Sequence, residues 1–136
     1  MEEKRLFSQA LAARARAYTP YSHFAVGAAL LCADGTVYTG CNIENAAFTP
    51  TVCAERVAFF KAVSDGHRDF AAIAVAGAPE GTAPDRLCAP CGVCRQVMAE
   101  FCRVESFRVL LGTTPEDVRA YTLADLLPLA FSGDML

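Results

Sequence analysis

The chain has 136 residues, of which 54% are hydrophobic, with a formal charge of −3 and a pI of about 5.3. This length suits one domain with a real core, and no block of Lys or Arg supplies the basic stripe with which proteins grip a polynucleotide, so a small substrate is expected. The seven cysteines come without secretory context: the opening Met1-Glu2-Glu3-Lys4-Arg5 is not a signal sequence and the apolar runs are too short to span a bilayer, so ligands or buried thiols in a reducing cytoplasm are expected rather than disulfides.

Residues 3–17 read as a helix, with Leu6, Ala10, Ala13 and Ala17 on one side and Tyr18-Thr19-Pro20 as its stop. Phe24 to Cys32 is an apolar strand containing Gly27. Asp34-Gly35 signals a hairpin, and Thr36 to Cys41 pairs back. Asn42-Ile43-Glu44-Asn45 leaves as a loop. Thr49-Pro50-Thr51 offers an N-cap hydroxyl and an N-terminal proline to a helix that ends near Ser64, before Asp65-Gly66. Phe70 to Gly77 suits a central strand covered on both faces. Residues 78–90 are irregular. A third helix is expected from Cys91 to about Phe101. A buried strand at Phe107 to Leu111, an edge strand at Val118 to Tyr121 and a short helix at Leu123 to Leu127 follow. The tail, Ala130 to Leu136, is apolar at both ends.

Strand–helix–strand alternation after residue 50 implies parallel neighbours joined by right-handed crossovers. The expected fold is α/β, a single mixed five-stranded sheet with helices on both faces, in one domain over residues 1–136. Sites in such sheets form at strand carboxyl ends beside helix N-termini, where both cysteine clusters fall.

The chemistry concentrates in Cys53-Ala54-Glu55-Arg56 and Pro90-Cys91-Gly92-Val93-Cys94. Cys53, Cys91 and Cys94 can offer a metal three ligands and leave a fourth position open, as a catalytic zinc site requires. Helix N-termini favour thiolate over thiol. Three thiolates on a divalent ion leave one net negative charge, which Arg56 is placed to offset. Glu55 is the nearby proton carrier that is not itself a ligand. Cys88, Cys91 and Cys94 are each three apart, so Cys88 with the other three would also make a closed structural site; Pro90 separates it from the helix. Cys32, Cys41 and Cys102 read as small core residues, and His23 and His67 as non-ligands.

Together the two clusters resemble the signature of the zinc-dependent nucleoside and base deaminases. The stretches Pro20-Tyr21-Ser22-His23-Phe24-Ala25-Val26-Gly27, Gly40-Cys41-Asn42-Ile43-Glu44-Asn45-Ala46-Ala47-Phe48 and Leu126-Leu127-Pro128-Leu129-Ala130-Phe131 are similar to the small homotetrameric cytidine deaminases. The resemblance implies one Zn²⁺ per subunit, held by Cys53, Cys91 and Cys94. Glu55 would deprotonate the zinc water, then protonate N3 of cytosine and later the departing amine. Asn42 and Glu44 would bind the ribose 3′-hydroxyl region, the Ala54 backbone would meet the pyrimidine edge, and Phe24 would pack on the substrate. Phe131 would reach a neighbouring subunit's active site. Cytidine and 2′-deoxycytidine would be the substrates, in pyrimidine salvage. Phe48 stands where a tyrosine is frequent, and Phe59 where the family motif usually has an aliphatic residue. Three other readings remain: deamination of a cytosine-containing antibiotic, polynucleotide editing, and a structural zinc module indifferent to Glu55.

Overall fold

A computed structural model describes residues 2–136. Five strands form one mixed sheet in the order β2-β1-β3-β4-β5: β1 is Phe24–Cys32, β2 Val37–Cys41, β3 Phe70–Pro79, β4 Arg108–Gly112 and β5 Val118–Thr122. The expected parallel pair is β3 with β4, while β1 runs antiparallel to β2 and β3, and β5 antiparallel to β4. Helix α1 (Glu2–Ala13) covers one face, where Leu6, Phe7 and Ala10 meet Ala29, Ala72, Ala74 and Leu110. Helices α2 (Ala54–Ser64), α3 (Gly92–Phe101) and α4 (Leu123–Leu126) pack on the other, over Leu30, Ile73, Val75 and Val109. The strands thus read as continuous apolar runs because both faces are covered.

Phe59 is fully buried. Its ring packs edge-on to Phe70 at 5.1 Å between centroids, and close to Phe101 and Phe107. The departure from an aliphatic residue is therefore absorbed by an aromatic cluster between α2, α3 and the sheet.

Two expected boundaries are corrected. Helix α1 stops at Ala13 and tightens into a 3₁₀ turn, Arg14–Arg16, rather than running on to Ala17. The reason is Arg14. Its guanidinium donates to the carbonyls of Ala25 (2.8 Å), Ala78 (3.1 Å) and Thr82 (3.0 Å), tying the helix end to β1, β3 and the loop beyond. Nor does Thr49-Pro50-Thr51 cap α2. Thr51 Oγ1 instead accepts from the Asn45 N–H at 3.0 Å, closing the loop, and the N-cap is Cys53.

The carboxyl ends of β2 and β3 lie beside the start of β1, since Gly27 pairs with Cys41 and Phe24 with Pro79. The loops leaving those two ends lead into α2 and α3, so both helix N-termini are brought to one edge of the sheet. Gly40 sets how closely α2 sits. A Cβ there would come within 2.3 Å of the Ala54 carbonyl oxygen, so only glycine lets the first turn of α2 rest on β2.

Candidate active site

Cys53 and Cys91 occupy the same position on their helices. Both are N-caps with extended backbone, and neither helix has a side-chain hydrogen bond capping its first turn. The unpaired first-turn N–H groups leave positive potential at both sulfurs. Cys94 sits one turn into α3 and is buried, whereas Cys91 is exposed. The sulfur–sulfur separations are 3.7 Å for Cys53–Cys91 and 3.6 Å for Cys91–Cys94. Tetrahedral zinc at about 2.3 Å from each sulfur would hold them about 3.8 Å apart, so the three thiols fit that ion.

Cys88 is not part of this group: the ligand atoms that come within 4.8 Å of one another here are those of Cys53, Cys91 and Cys94. Instead its sulfur lies over Gly77, where an added Cβ would approach it to 2.6 Å. Burial, followed by the charges of Glu55 and Cys53, pushes the Cys88 thiol up to about 11. A second group, Cys32, Asp34 and His67, also falls within 4.8 Å at the far end of α2. Within it His67 Nδ1 lies 3.8 Å from Asp34 Oδ2. There, burial and then the Asp34 charge raise the Cys32 thiol, which works against metal binding.

The electrostatics separate the thiols. A hydrogen bond from Cys94, helped by Arg56 and Cys91 and opposed by burial, lowers Cys53 to about 5. Cys94 is raised by giving that hydrogen bond, then by burial. A bound cation would displace the protons these thiols hold. Arg56 donates from Nη2 to Cys53 Sγ at 3.4 Å. Its Nε is buried without a partner among the described residues. Replacing Arg56 with glutamine is expected to weaken metal affinity ~10–100-fold, the usual effect of losing a group that braces a ligand. Competition against a chromogenic chelator measures this, and unchanged affinity would remove Arg56 from the site.

Glu55 is 4% exposed, although it stands in the first turn of a helix. Burial raises its carboxyl to about 7, and the Cys53 charge adds to the effect. A default first-turn carboxylate would be solvated; this one is poised to exchange a proton near neutral pH.

The remaining candidates fall at the start of β1, in the loop after β2, at the start of α2 and in the C-terminal segment. Phe24, at the start of β1, is half-buried, with its ring beside Gly77 and Cys88. Asn42 Oδ1 accepts from Val26 N–H at 2.9 Å and its Nδ2 donates to the Phe24 carbonyl at 2.8 Å. A carboxamide retains one N–H and one lone pair after those two bonds. Glu44 accepts from the N–H groups of Tyr21 (2.9 Å) and Ser22 (3.1 Å) and from the Ser22 hydroxyl. A cavity of about 420 Å³ opens here, lined by Tyr21, Ser22, Glu44, Phe48 and Thr51. Ala54 is fully buried on the β2 side of α2. Phe131 is 56% exposed, its carbonyl held by Gln96 Nε2 at 2.8 Å.

Three residues near the site carried no sequence signal of a role. Arg14 and Ser22 lie in stretches that read as helix end and loop. Arg95 reads as one polar residue on a helix, yet its Nε binds the Pro90 carbonyl at 2.7 Å and its Nη1 the Leu126 carbonyl at 2.5 Å. It thereby braces the turn that presents Cys91.

The family model described as the cytidine and deoxycytidylate deaminase zinc-binding region matches residues 1–110, a span that includes all three clustered cysteines and Glu55. The chain belongs to the cytidine deaminase family. A cytidine deaminase from Sporosarcina psychrophila is 53% identical over 136 residues, covering 100% of this chain and 96% of that protein. One from Halalkalibacterium halodurans is 48% identical over 134 residues, covering 98% and 97%. The crystal structure of cytidine deaminase from Burkholderia pseudomallei superposes with a TM-score of 0.85 at 48% identity, covering 96% of this chain and 100% of that one. As in the family, this is a zinc-binding enzyme fold, and Cys53, Cys91 and Cys94 form a group that can hold the metal.

Proposed function

We propose that the chain hydrolyses cytidine and 2′-deoxycytidine to uridine and 2′-deoxyuridine with release of ammonia, as a pyrimidine salvage enzyme of the cytoplasm. The observation that carries this reading is a buried carboxylate, Glu55, beside a three-thiol group to which no fourth Cys, His, Asp or Glu is added among the described residues. Zinc, when held by Cys53, Cys91 and Cys94, would supply a Lewis acid that lowers the pKa of a coordinated water well below its bulk value of about 15.7.

Glu55 is the proton carrier. Its carboxylate takes a proton from the attacking water and delivers it to N3 as the new C4–O bond forms. It then takes the proton of the new C4 hydroxyl and passes it to the exocyclic amine, and the C4–N bond breaks to release ammonia and leave the C4 carbonyl. Burial favours this because a carboxyl near 7 both accepts and returns protons at neutral pH. Arg56 balances the charge on the sulfurs. Asn42 and Glu44 take the sugar, Phe24 packs on the base, and the Ala54 backbone meets its edge.

The cavity near Glu44 is bordered by exposed Phe48. Leu129, Phe131 and Leu136 are also exposed. We assign these apolar groups to contacts in a homotetramer of single-domain chains, with Phe131 closing a neighbour's site. No helix among the described residues is long and apolar enough to cross a membrane.

The test is the ultraviolet change of cytidine on incubation with zinc-loaded protein. Turnover of cytidine and 2′-deoxycytidine is expected. Cytidine 5′-monophosphate should show kcat/KM at least about tenfold lower, because the Glu44 carboxylate repels a nearby phosphate. Comparable turnover of the monophosphate, or none of cytidine with zinc bound, would overturn the reading.

A further inference from the structure

The hydroxyl of Ser22 joins two groups of the sugar and base subsites. It donates to Glu44 Oε2 and accepts from the Phe24 N–H at 3.1 Å. The other carboxylate oxygen, Oε1, is taken by the N–H groups of Tyr21 and Ser22. The loop carrying these donors is strapped to the Glu44 loop. Tyr18 N–H binds the Asn42 carbonyl and Glu44 N–H binds the Tyr18 carbonyl, both at 2.9 Å. His23, between Ser22 and Phe24, holds a positive φ of 57°, which turns the chain so that the serine hydroxyl faces both partners.

A carboxylate offers about four lone-pair sites. Three are occupied here, and the one left open is on Oε2, the oxygen that Ser22 orients. A single vacant acceptor suits one hydroxyl donor and rejects a group that cannot donate. We propose that Ser22 is a positioning residue of the sugar subsite, setting Glu44 so that its one open lone pair meets the nucleoside 3′-hydroxyl. This rests on the reading of Glu44 as the sugar ligand.

The experiment compares cytidine with 3′-deoxycytidine as substrates, and uridine with 3′-deoxyuridine as ligands in calorimetry. Ser22→Ala should raise KM for cytidine and Kd for uridine about tenfold, with kcat within about twofold, since one charge-assisted bond that orients a binding group is lost. Neither 3′-deoxy compound should be affected, and Ser22→Thr, which keeps the hydroxyl, should restore uridine binding. Glu44→Ala, which removes the acceptor, should erase the preference for a 3′-hydroxyl. If Glu44→Ala leaves that preference intact, Glu44 is not the sugar ligand and the proposal falls with it. If Glu44→Ala erases it but Ser22→Ala binds like the wild type, or weakens both sugars equally, Ser22 alone is excluded. Should Ser22→Ala not fold, Ser22→Cys keeps the volume with a much weaker donor and carries the same expectation.

Discussion

Glu55→Gln is expected to lower kcat for cytidine by about 10²–10⁴ while the protein stays folded and keeps its zinc. That range is what general acid–base catalysis contributes, roughly 3–5 kcal/mol of barrier. Glutamine matches the shape of glutamate but cannot accept the water proton. The variant should also melt no lower than the wild type. The glutamate is 4% exposed with its carboxyl raised by burial, so its charge costs stability that a neutral amide does not. A structural role would give the opposite pair of results, a lowered melting temperature with activity largely kept. Metal content, melting temperature and steady-state kinetics on one preparation separate the two.

The second large effect contrasts two neighbouring cysteines. Cys91→Ser should weaken metal binding by more than the ~10–100-fold expected for a bracing residue such as Arg56, and abolish activity when the protein is dialysed against chelator. Cys88→Ser should keep the wild-type metal content and activity. Its cost should be confined to stability, on the order of 1 kcal/mol, because a serine hydroxyl replaces a half-buried thiol over Gly77. Metal analysis after gel filtration reads the first effect and thermal melting the second. Loss of metal from Cys88→Ser would revive a closed four-cysteine site.

Elements set by local patterning were legible in the sequence. The apolar strand Phe24–Cys32, the Asp34-Gly35 turn and the end of α2 at Ser64 lie where expected, whereas β3 starts at Phe70 as expected but runs past Gly77 to Pro79. The residue types of the site were legible for the same reason, since thiols and a carboxylate at helix starts have few other uses in combination. The end of α1 and the start of α2 were less so, because each is decided by a partner outside the helix: Arg14 by carbonyls of β1, β3 and the following loop, and Thr51 by the Asn45 backbone.

By itself the sequence determined the alternation of helices and strands, and the supply of three thiols, a carboxylate and a guanidinium. Spacing left Cys88 equivalent to its neighbours, and Glu55 would by default face water. Only the tertiary structure decided that Cys53 meets Cys91 and Cys94, that Cys88 turns onto Gly77, and that Glu55 is buried. The physical reason is that helix and strand periods are properties of neighbouring residues. Ligand geometry and burial instead depend on how closely segments about forty residues apart can approach, and here that is set by bare backbone at Gly40 and Gly77.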